Sequence, residues 1–263
     1  MKKYSLGNRV LMILLAGTLA GAATLATLDA RADPGQFSLF SGFVSPGEYG
    51  TAKTTGMLTT PTVGKYETGP WAFKLTVPNA GASAVGSAIP GIGIVAGSTA
   101  NSIQSGLIDS EAAATYNINT GNASTFGVNL TGKFKLGLAD KSFSLGSMLN
   151  DYAAQADAYQ SFDKFRALGS LGYKIHGDPA GISMNRVVYG SVGGAYQLND
   201  QISGGIDFWL SQSPTPLEQG QRQLSAYVSH NINKSFKARG YLLEDFSTGN
   251  PDRSVGAAVS YGF

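Results

Sequence analysis

The segment VGAAVSYGF, residues 255–263, alternates strictly between apolar residues and small residues. Its odd-numbered positions are apolar and end on Tyr261 and Phe263, and its even-numbered positions are Gly, Ala or Ser. Because successive side chains of a strand point to opposite faces, the segment predicts a strand with one apolar and one nearly bare face. Such a strand leaves backbone groups unpaired unless both of its edges find a partner. The rest of the chain must therefore supply two neighbours for it.

The same period of two recurs along most of the chain. In WAFKLTV, residues 71–77, apolar residues alternate with Ala72, Lys74 and Thr76, and FGVNLTGKFKLGL, residues 126–138, repeats the pattern. Helical periodicity is nowhere sustained. The sequence therefore predicts an all-β protein built from consecutive antiparallel strands.

Two architectures show this alternation, a soluble β-sandwich and a membrane β-barrel. A sandwich buries its apolar face, whereas a membrane barrel turns that face to lipid and a polar face to its lumen. The segments are about 10–12 residues long, which is enough to cross a bilayer at a tilt. Their polar face mixes Gly with charges of both signs and would make a poor dry core. Aromatic residues also gather near segment ends, as in interfacial girdles, at Tyr66, Trp71, Tyr116, Phe162, Phe165, Tyr196, Phe236, Tyr261 and Phe263. These features favour the membrane barrel.

The number of strands follows from the requirement that bacterial barrels have an even count. Counting the predicted strands back from Phe263 to about residue 53 gives eleven, which is odd. QFSLFSGFV, residues Gln36–Val44, can supply the missing strand, although its alternation is imperfect. The prediction is an antiparallel transmembrane β-barrel of about twelve strands in meander order.

Short and long links alternate between these predicted strands. The short ones are rich in turn residues and lie at 67–69, 120–124, 163–164, 199–200 and 233–234. The longer ones are Asn79–Gly106, Ala139–Leu149, Gly177–Asn185, Gln212–Gln221 and Ser247–Arg253. Bacterial barrels place short turns in the periplasm and long loops outside, so Phe263 is expected to end in the periplasm.

The first 32 residues have the features of a cleaved export signal. Lys2, Lys3 and Arg9 precede an apolar stretch rich in Gly and Ala, and Ala30–Ala32 forms an A-x-A cleavage site. A membrane anchor is the alternative interpretation, and the cleavage site argues against it. We expect residues 1–32 to be a signal peptide and residues 33–263 to form a single barrel domain in the bacterial outer membrane.

The composition excludes several functions. The chain has no Cys, which rules out a lipoprotein, thiol catalysis and Cys-ligated metals. Residues 1–32 contain four of the 19 basic residues and one of the 17 acidic ones, so the remainder has a slight acidic excess and no electrostatic footprint for nucleic acid. The acidic residues are dispersed, and no metal or cofactor is implied.

Five segments carry a resemblance to a known family. They are KYETGPWAFKLTVP (Lys65–Pro78), LTGKFKLGLADK (Leu130–Lys141), NDYAAQADAY (Asn150–Tyr159), LGYKIHGDPAG (Leu171–Gly181) and RQLSAYVSHNI (Arg222–Ile232). Together they resemble the outer-membrane β-barrels of the family named for the meta-pathway of phenol degradation. The resemblance implies a transporter or channel, and its motifs are specific to the scaffold but not to a substrate. Our first hypothesis for the cargo is small, hydrophobic or aromatic solutes, and because no residue set supplies a nucleophile, base and orienter, we expect no enzymatic activity. The terminal Tyr261 and Phe263 resemble the signal that the barrel-assembly machinery recognises, and outer-membrane lipid and lipopolysaccharide are the other expected partners.

Charged residues of the inward parity are the candidates for a selectivity site. They are Lys74, Glu111, Lys133, Lys135, Asp157, Arg166, Lys174, Asp207, Lys237 and Arg239. One interpretation is a charged constriction that selects solutes, and the other is a set of cross-strand salt bridges that brace the wall. The two differ in how many of the charges remain unpaired.

Two further features leave functional alternatives open. The uncharged stretch Gly81–Ala100 could gate the lumen, insert into the outer leaflet or form a disordered external loop, and its Gly and Ser content favours the last. At the external rim, His176 and Asp178 could form an acid–histidine pair of a hydrolase, but no nucleophile stands at a recognisable spacing. A structural or adhesive barrel without solute flux is the third class.

Overall fold

The structure is a computed structural model that describes residues 36–44, 56–84, 87–89, 93–95, 102–107, 109–138, 149–178, 183–214, 220–247 and 253–262. The expected signal peptide and Phe263 lie outside these residues. The strands are β1 (Gln36–Val44), β2 (Gly56–Thr68), β3 (Trp71–Ala84), β4 (Ser87–Ile89), β5 (Gly93–Val95), β6 (Ser102–Leu107), β7 (Ser110–Asn119), β8 (Gly127–Leu136), β9 (Asp151–Phe162), β10 (Phe165–Ile175), β11 (Val187–Gln197), β12 (Ile202–Ser211), β13 (Gln221–Asn231), β14 (Phe236–Asp245) and β15 (Arg253–Gly262). Among these residues, no helix is long and apolar enough to span a membrane.

Strand pairing closes the sheet into a ring. From β7 to β15 each strand pairs antiparallel with the next, β3 pairs with β7, and β2 pairs with both β3 and β1. The last strand, β15, pairs with β14 on one edge and with β1 on the other. Twelve strands of the described chain thus form a closed antiparallel meander. The predicted fold class is confirmed, including the first strand at Gln36–Val44.

The two faces of the ring are inverted relative to a soluble protein. Outward apolar side chains are exposed, with Leu171 at 64% and Val192 at 65%. Inward polar side chains are buried, with Thr76 and Asp207 both at 1%. A water-soluble sandwich would hide the first set and expose the second. The arrangement is that of a β-barrel with lipid outside and a polar lumen inside.

Outward aromatic side chains form clusters at both ends of the strands. At the short-turn end, the Trp71 and Tyr116 rings meet edge to face with centroids 4.8 Å apart. At the long-link end, the Phe134 and Tyr152 rings stack at 4.9 Å. Aromatic bodies with a polar edge suit the two interfaces of a membrane, and such clusters mark the limits of the apolar band.

The short turns are built by a recurring side-chain contact. The Oδ1 of Asn199 accepts hydrogen bonds from the backbone N–H groups of residues 201 and 202, at 2.9 and 2.8 Å. Asn233 makes the same contacts with residues 235 and 236. In the two-residue turns, Gly69 and Asp163 have φ angles of 55° and 52°, values that Gly and Asp tolerate better than other residues. The predicted short turns are confirmed, except that the first lies at residues 69–70 and not at 67–69, because β2 continues to Thr68.

Prolines occur where the ladder of backbone hydrogen bonds is interrupted. Pro78 on β3 lies where the partner of this strand changes from β7 to β6, because Thr76 pairs with Glu111 and Asn79 with Leu107. The ladder on this side of β3 is therefore interrupted next to Pro78. Pro61 on β2 faces Pro78 and has no register partner on β1. Proline lacks an N–H, so bulges and ladder gaps are the positions in a sheet that accept it.

The interpretation of Asn79–Gly106 as a loop is wrong for part of its length. Strand β3 continues to Ala84 and pairs with β2 and β6, and β4 and β5 form a separate two-stranded sheet. On its own, the Gly and Ser content of this stretch favours a disordered loop. Pairing with a strand on each side of β3 compensates for the low strand propensity of these small residues. Residues 85–86, 90–92 and 96–101 lie outside the described part.

Candidate functional site

The candidate selectivity residues all lie on the inward face of the described strands. They are carried by β3 (Lys74), β7 (Glu111), β8 (Lys133 and Lys135), β9 (Asp157), β10 (Arg166 and Lys174), β12 (Asp207) and β14 (Lys237 and Arg239). Each is half-buried or buried in the structure. The structure separates these residues into groups at different heights in the lumen.

A cluster centred on Asp151 lies at the long-link end of the lumen. One Oδ2 atom of Asp151 lies 2.9 Å from Lys135 Nζ, 3.4 Å from Lys174 Nζ and 3.3 Å from His176 Nδ1. Its Oδ1 accepts a hydrogen bond from the Gly177 N–H at 3.1 Å. Lys135 also reaches Asp109 at 3.4 Å. Here the charges brace adjacent strands, because a single carboxylate ties β8 to the end of β10.

At the rim, His176 contacts a different carboxylate from the one considered in the sequence. The carboxylate that contacts His176 belongs to Asp151, whereas Asp178 Oδ1 accepts a hydrogen bond from the Met184 N–H at 2.8 Å. The possible pairing of His176 with Asp178 is therefore not formed, because Asp178 accepts a hydrogen bond from the loop backbone instead. The other histidine, His230, lies on the outward parity of β13 and is exposed.

Below the cluster, lysines occupy a single row of the barrel wall. The register aligns Lys65 with Lys74, then Ala113, Lys133, Ala153 and Lys174 on successive strands. Alanine separates the later lysines, so their ammonium groups stand apart by one strand. The alanines keep the like charges of the lysines apart, which reduces the repulsion between them, and leave space in the lumen beside each lysine side chain.

The lysines of this row differ in their partners. Lys65 lies 2.6 Å from Glu67, and Lys74 lies 3.9 Å from Glu111. Lys133 instead donates to the Gln155 Oε1 at 2.7 Å. Gln155 in turn donates to Asp157 at 2.5 Å. Among the described residues, Lys133 has no carboxylate within ion-pair distance.

The short-turn end of the lumen contains one arrangement twice. Arg166 donates through Nε to Ser161 at 3.0 Å and lies 5.5 Å from the Tyr159 ring centre. Arg239 donates to Ser229 at 2.8 Å and lies 4.5 Å from the Tyr227 ring centre. In each copy the Ser and Tyr share one strand, and the Arg comes from the next. Hydrogen bonding and cation–π attraction hold both guanidinium groups close to the wall.

The tyrosine rings of the lumen lie flat against glycines of the neighbouring strand. A Cβ added to Gly172 would come within 2.2 Å of the Tyr189 ring, and one added to Gly256 within 2.1 Å of the Tyr241 ring. Gly127 and Gly205 receive the rings of Tyr159 and Tyr227 in the same way. The absence of a side chain on these glycines lets each ring cover the backbone instead of projecting into the lumen.

The wall formed by β11 to β15 has a sparser charge pattern. Asp207 is almost completely buried beside Ser191, and no described cation forms an ion pair with it. Asp245 accepts a hydrogen bond from Gln223 at 2.5 Å and another from the Ser247 N–H at 2.8 Å. Lys237 is buried at the short-turn end.

The charges therefore divide between the two predicted roles. Glu111, Lys135 and Lys174 take part in ion pairs that join strands. Lys133, Asp207 and Arg239 have no ion-pair partner among the described residues, and one Arg239 nitrogen, Nη2, has no hydrogen-bond partner there either. Bracing accounts for the first group. In the second group, Lys133 and Arg239 are partly exposed and are the candidates for contact with a solute, whereas Asp207 is almost completely buried.

Sequence reasoning missed several residues that complete this lumen. Gln155 and Asp151 share the inward parity of Asp157, which the period of two could have shown. The lumen-facing tyrosines carry a weaker signal, because Tyr is also expected in the interfacial girdles. Among the residues that the structure describes, no group of acidic or histidine side chains is arranged to hold a metal ion.

Comparison with known proteins supports the architecture. No protein-family model and no curated protein matches the chain. The chain is similar to the crystal structure of an outer membrane channel from Pseudomonas putida F1, at 10% identity over 90% of this chain and 98% of that one, with a TM-score of 0.66. It is also similar to the KdgM porin, at 10% identity over 86% and 99% with a TM-score of 0.56, and to the NanC porin, at 8% over 86% and 98% with the same score. At these identities the likeness shows the fold, which is that of outer-membrane channel barrels.

Proposed function

We propose that the protein is a channel of the bacterial outer membrane that passes small solutes. The observation that carries this proposal is the closed ring of strands whose inward face holds charges without ion-pair partners, at Lys133, Asp207 and Arg239. A barrel that served only as a scaffold would gain nothing from such groups, because an unpaired charge facing a dry interior is costly. Small hydrophobic or aromatic compounds are the candidate solutes.

The size of the barrel supports a narrow pathway. Eight strands make a lumen that side chains fill, whereas sixteen to eighteen leave an aqueous pore, and the twelve strands here lie between. The tyrosine–glycine pairs lay four rings against the wall and keep them out of the centre. A narrow lumen with fixed charges selects by size and by sign.

Reconstitution tests the channel directly. The purified, folded barrel in planar lipid bilayers is expected to give stepwise conductance, and liposomes that contain it should take up a small aromatic carboxylate such as benzoate. Absence of both conductance and uptake would contradict the channel and favour a structural or adhesive barrel. Such a barrel would instead capture a partner through its external loops.

Lys133 is expected to contribute to ion selectivity. Replacing it with Met leaves Asp157 without the cation that Gln155 links to it, so the anion-to-cation permeability ratio should fall. A unit charge at about 5 Å in a water-like medium is worth ~0.8 kcal/mol, which corresponds to about a fourfold change. Reversal potentials in a salt gradient measure this ratio. Arg253→Gln is the matched control, because Arg253 is exposed at the rim, and an equal shift in both variants would refute a specific role for Lys133.

The terminal aromatic residue is expected to act in assembly and not in transport. Tyr261 already meets Phe236 with ring centroids 4.6 Å apart, so the fold retains an aromatic contact at this end without Phe263. Deleting Phe263 should strongly lower the amount of barrel inserted in cells, while the same variant refolded in lipid should keep its ion selectivity. Phe263→Tyr preserves the aromatic end and should insert normally. Normal insertion of the deletion variant would count against this prediction.

A further inference from the structure

A groove of about 480 Å³ lies on the outward face of β10 to β13, near the long-link end. Its apolar walls are formed by Leu171, Val188, Val192, Phe208 and Leu210. The register places Gly190 directly between Leu171 and Leu210. Because glycine has no side chain, the groove is deepest at this position. The groove opens toward the surroundings of the barrel and away from its lumen.

Arg222 lies at the end of the row of outward residues formed by Leu171, Gly190 and Leu210. Arg222 on β13 is in register with Leu210, contributes to the lining of the groove and is exposed. It shares the outward parity of Leu224, Ala226 and Val228, which are apolar, and the other polar residue of this face, His230, lies at the opposite, short-turn end of the strand. Arginine is expensive on a lipid-facing surface unless it lies near an interface and meets an anion.

The protein does not supply that anion within its described part. Glu244 is the acidic residue nearest in register on the outward face of β14, because it pairs with Leu224. Both of its carboxylate oxygens are engaged by Arg253 Nε, at 3.2 and 2.9 Å. No described carboxylate forms an ion pair with Arg222. Among the described residues, Arg222, Glu244 and Arg253 therefore leave this patch with one more positive than negative charge.

Arg222 has no ion-pair partner among the described residues and lies beside an apolar groove. This combination suits an amphiphile, which has a charged headgroup and a hydrocarbon chain. The guanidinium group binds phosphate with two parallel hydrogen bonds, and the groove offers an apolar surface to a hydrocarbon chain. The long-link end faces outside in the topology of bacterial barrels, and the outer leaflet there consists of lipopolysaccharide. We propose that this face binds the lipid A part of lipopolysaccharide, with a phosphate on Arg222 and an acyl chain over Gly190. The inference rests on the proposed outer-membrane location and orientation but not on solute conduction.

Native mass spectrometry of the folded barrel, titrated with purified lipid A, tests the site. Arg222→Gln should weaken binding by at least about tenfold, because it removes the charge and the paired hydrogen bonds of the guanidinium group. Leu171→Trp should also weaken it by filling the groove. The matched controls are Arg253→Gln, which removes an arginine already engaged by Glu244, and Leu130→Trp, which adds the same ring to an exposed position outside the groove. Both controls should bind as the unchanged protein does.

Two further probes identify the ligand. Lipid A without its phosphates should bind the unchanged protein about as weakly as phosphorylated lipid A binds Arg222→Gln. Phosphatidylglycerol and inorganic phosphate should not compete with lipid A at equal concentration, and competition by either would overturn the assignment to lipid A. Equal affinity of all variants would overturn the site itself. Conductance is measured on the same preparations. Loss of lipid A binding with normal conductance would concern this site alone, whereas absence of conductance would concern the channel proposal.

Discussion

A proline at Val259 is expected to prevent closure of the barrel. Val259 lies in the middle of β15, where it is in register with Ala238 of β14 and Ser41 of β1. Its N–H must donate to one of these neighbours, and proline has no N–H to give. Proline therefore removes one hydrogen bond of the ladder, and the carbonyl left unpaired in lipid costs several kcal/mol. Unlike Pro61 and Pro78, this position has a register partner on each side.

Electrophoresis without heating measures closure, because folded barrels keep a compact, heat-sensitive mobility in detergent. Refolded Val259→Pro should show only the mobility of the unfolded chain and should lose β-sheet circular dichroism. Val259→Ala is the matched control, since it keeps the N–H and removes only outward apolar atoms. A heat-sensitive band for the proline variant would show that β15 is not held on both edges.

A methyl group on Gly172 is expected to destabilise the folded barrel by about 1–3 kcal/mol, the usual cost of overpacking. The added Cβ would lie 2.2 Å from Cζ and 2.6 Å from the hydroxyl oxygen of Tyr189. The ring must leave the wall, and it also loses its stacking on Trp209, whose centroid is 4.9 Å away. Urea titration of the barrel in lipid vesicles measures the change in the free energy of unfolding.

A double-mutant cycle isolates the ring as the cause. Gly172→Ala should cost little when Tyr189 is already Ala, because the clashing atoms are gone. Gly132→Ala serves as the control in the unchanged protein, since nothing lies within 4 Å of its added Cβ, and it should alter stability only slightly. An equal cost of Gly172→Ala with and without the Tyr189 ring would place the strain in the backbone and refute the tyrosine–glycine contact.

The local pattern predicted more of the fold than of the site. Alternation assigned Lys74, Lys133 and Lys174 to one face because side-chain direction depends only on the parity of a residue within its strand. Turn residues such as Asn199 and Asn233 located the strand ends because their side chains bond backbone groups a few residues away. The error at Asn79–Gly106 has the opposite origin. Its small residues carry little strand propensity, and the pairing of β3 with β2 and β6 comes from distant parts of the chain.

By itself, the sequence determined which residues face lipid, which face the lumen, and that the final strand needs a partner on each edge. All three follow from a period of two, which is a property of neighbouring residues. Only the tertiary structure decided which charges are paired. His176 meets Asp151 and not Asp178, which is two residues away in sequence, and Lys133 is left with Gln155, because these contacts depend on the register between neighbouring strands. Register is established when the whole ring closes, and no single segment contains that information.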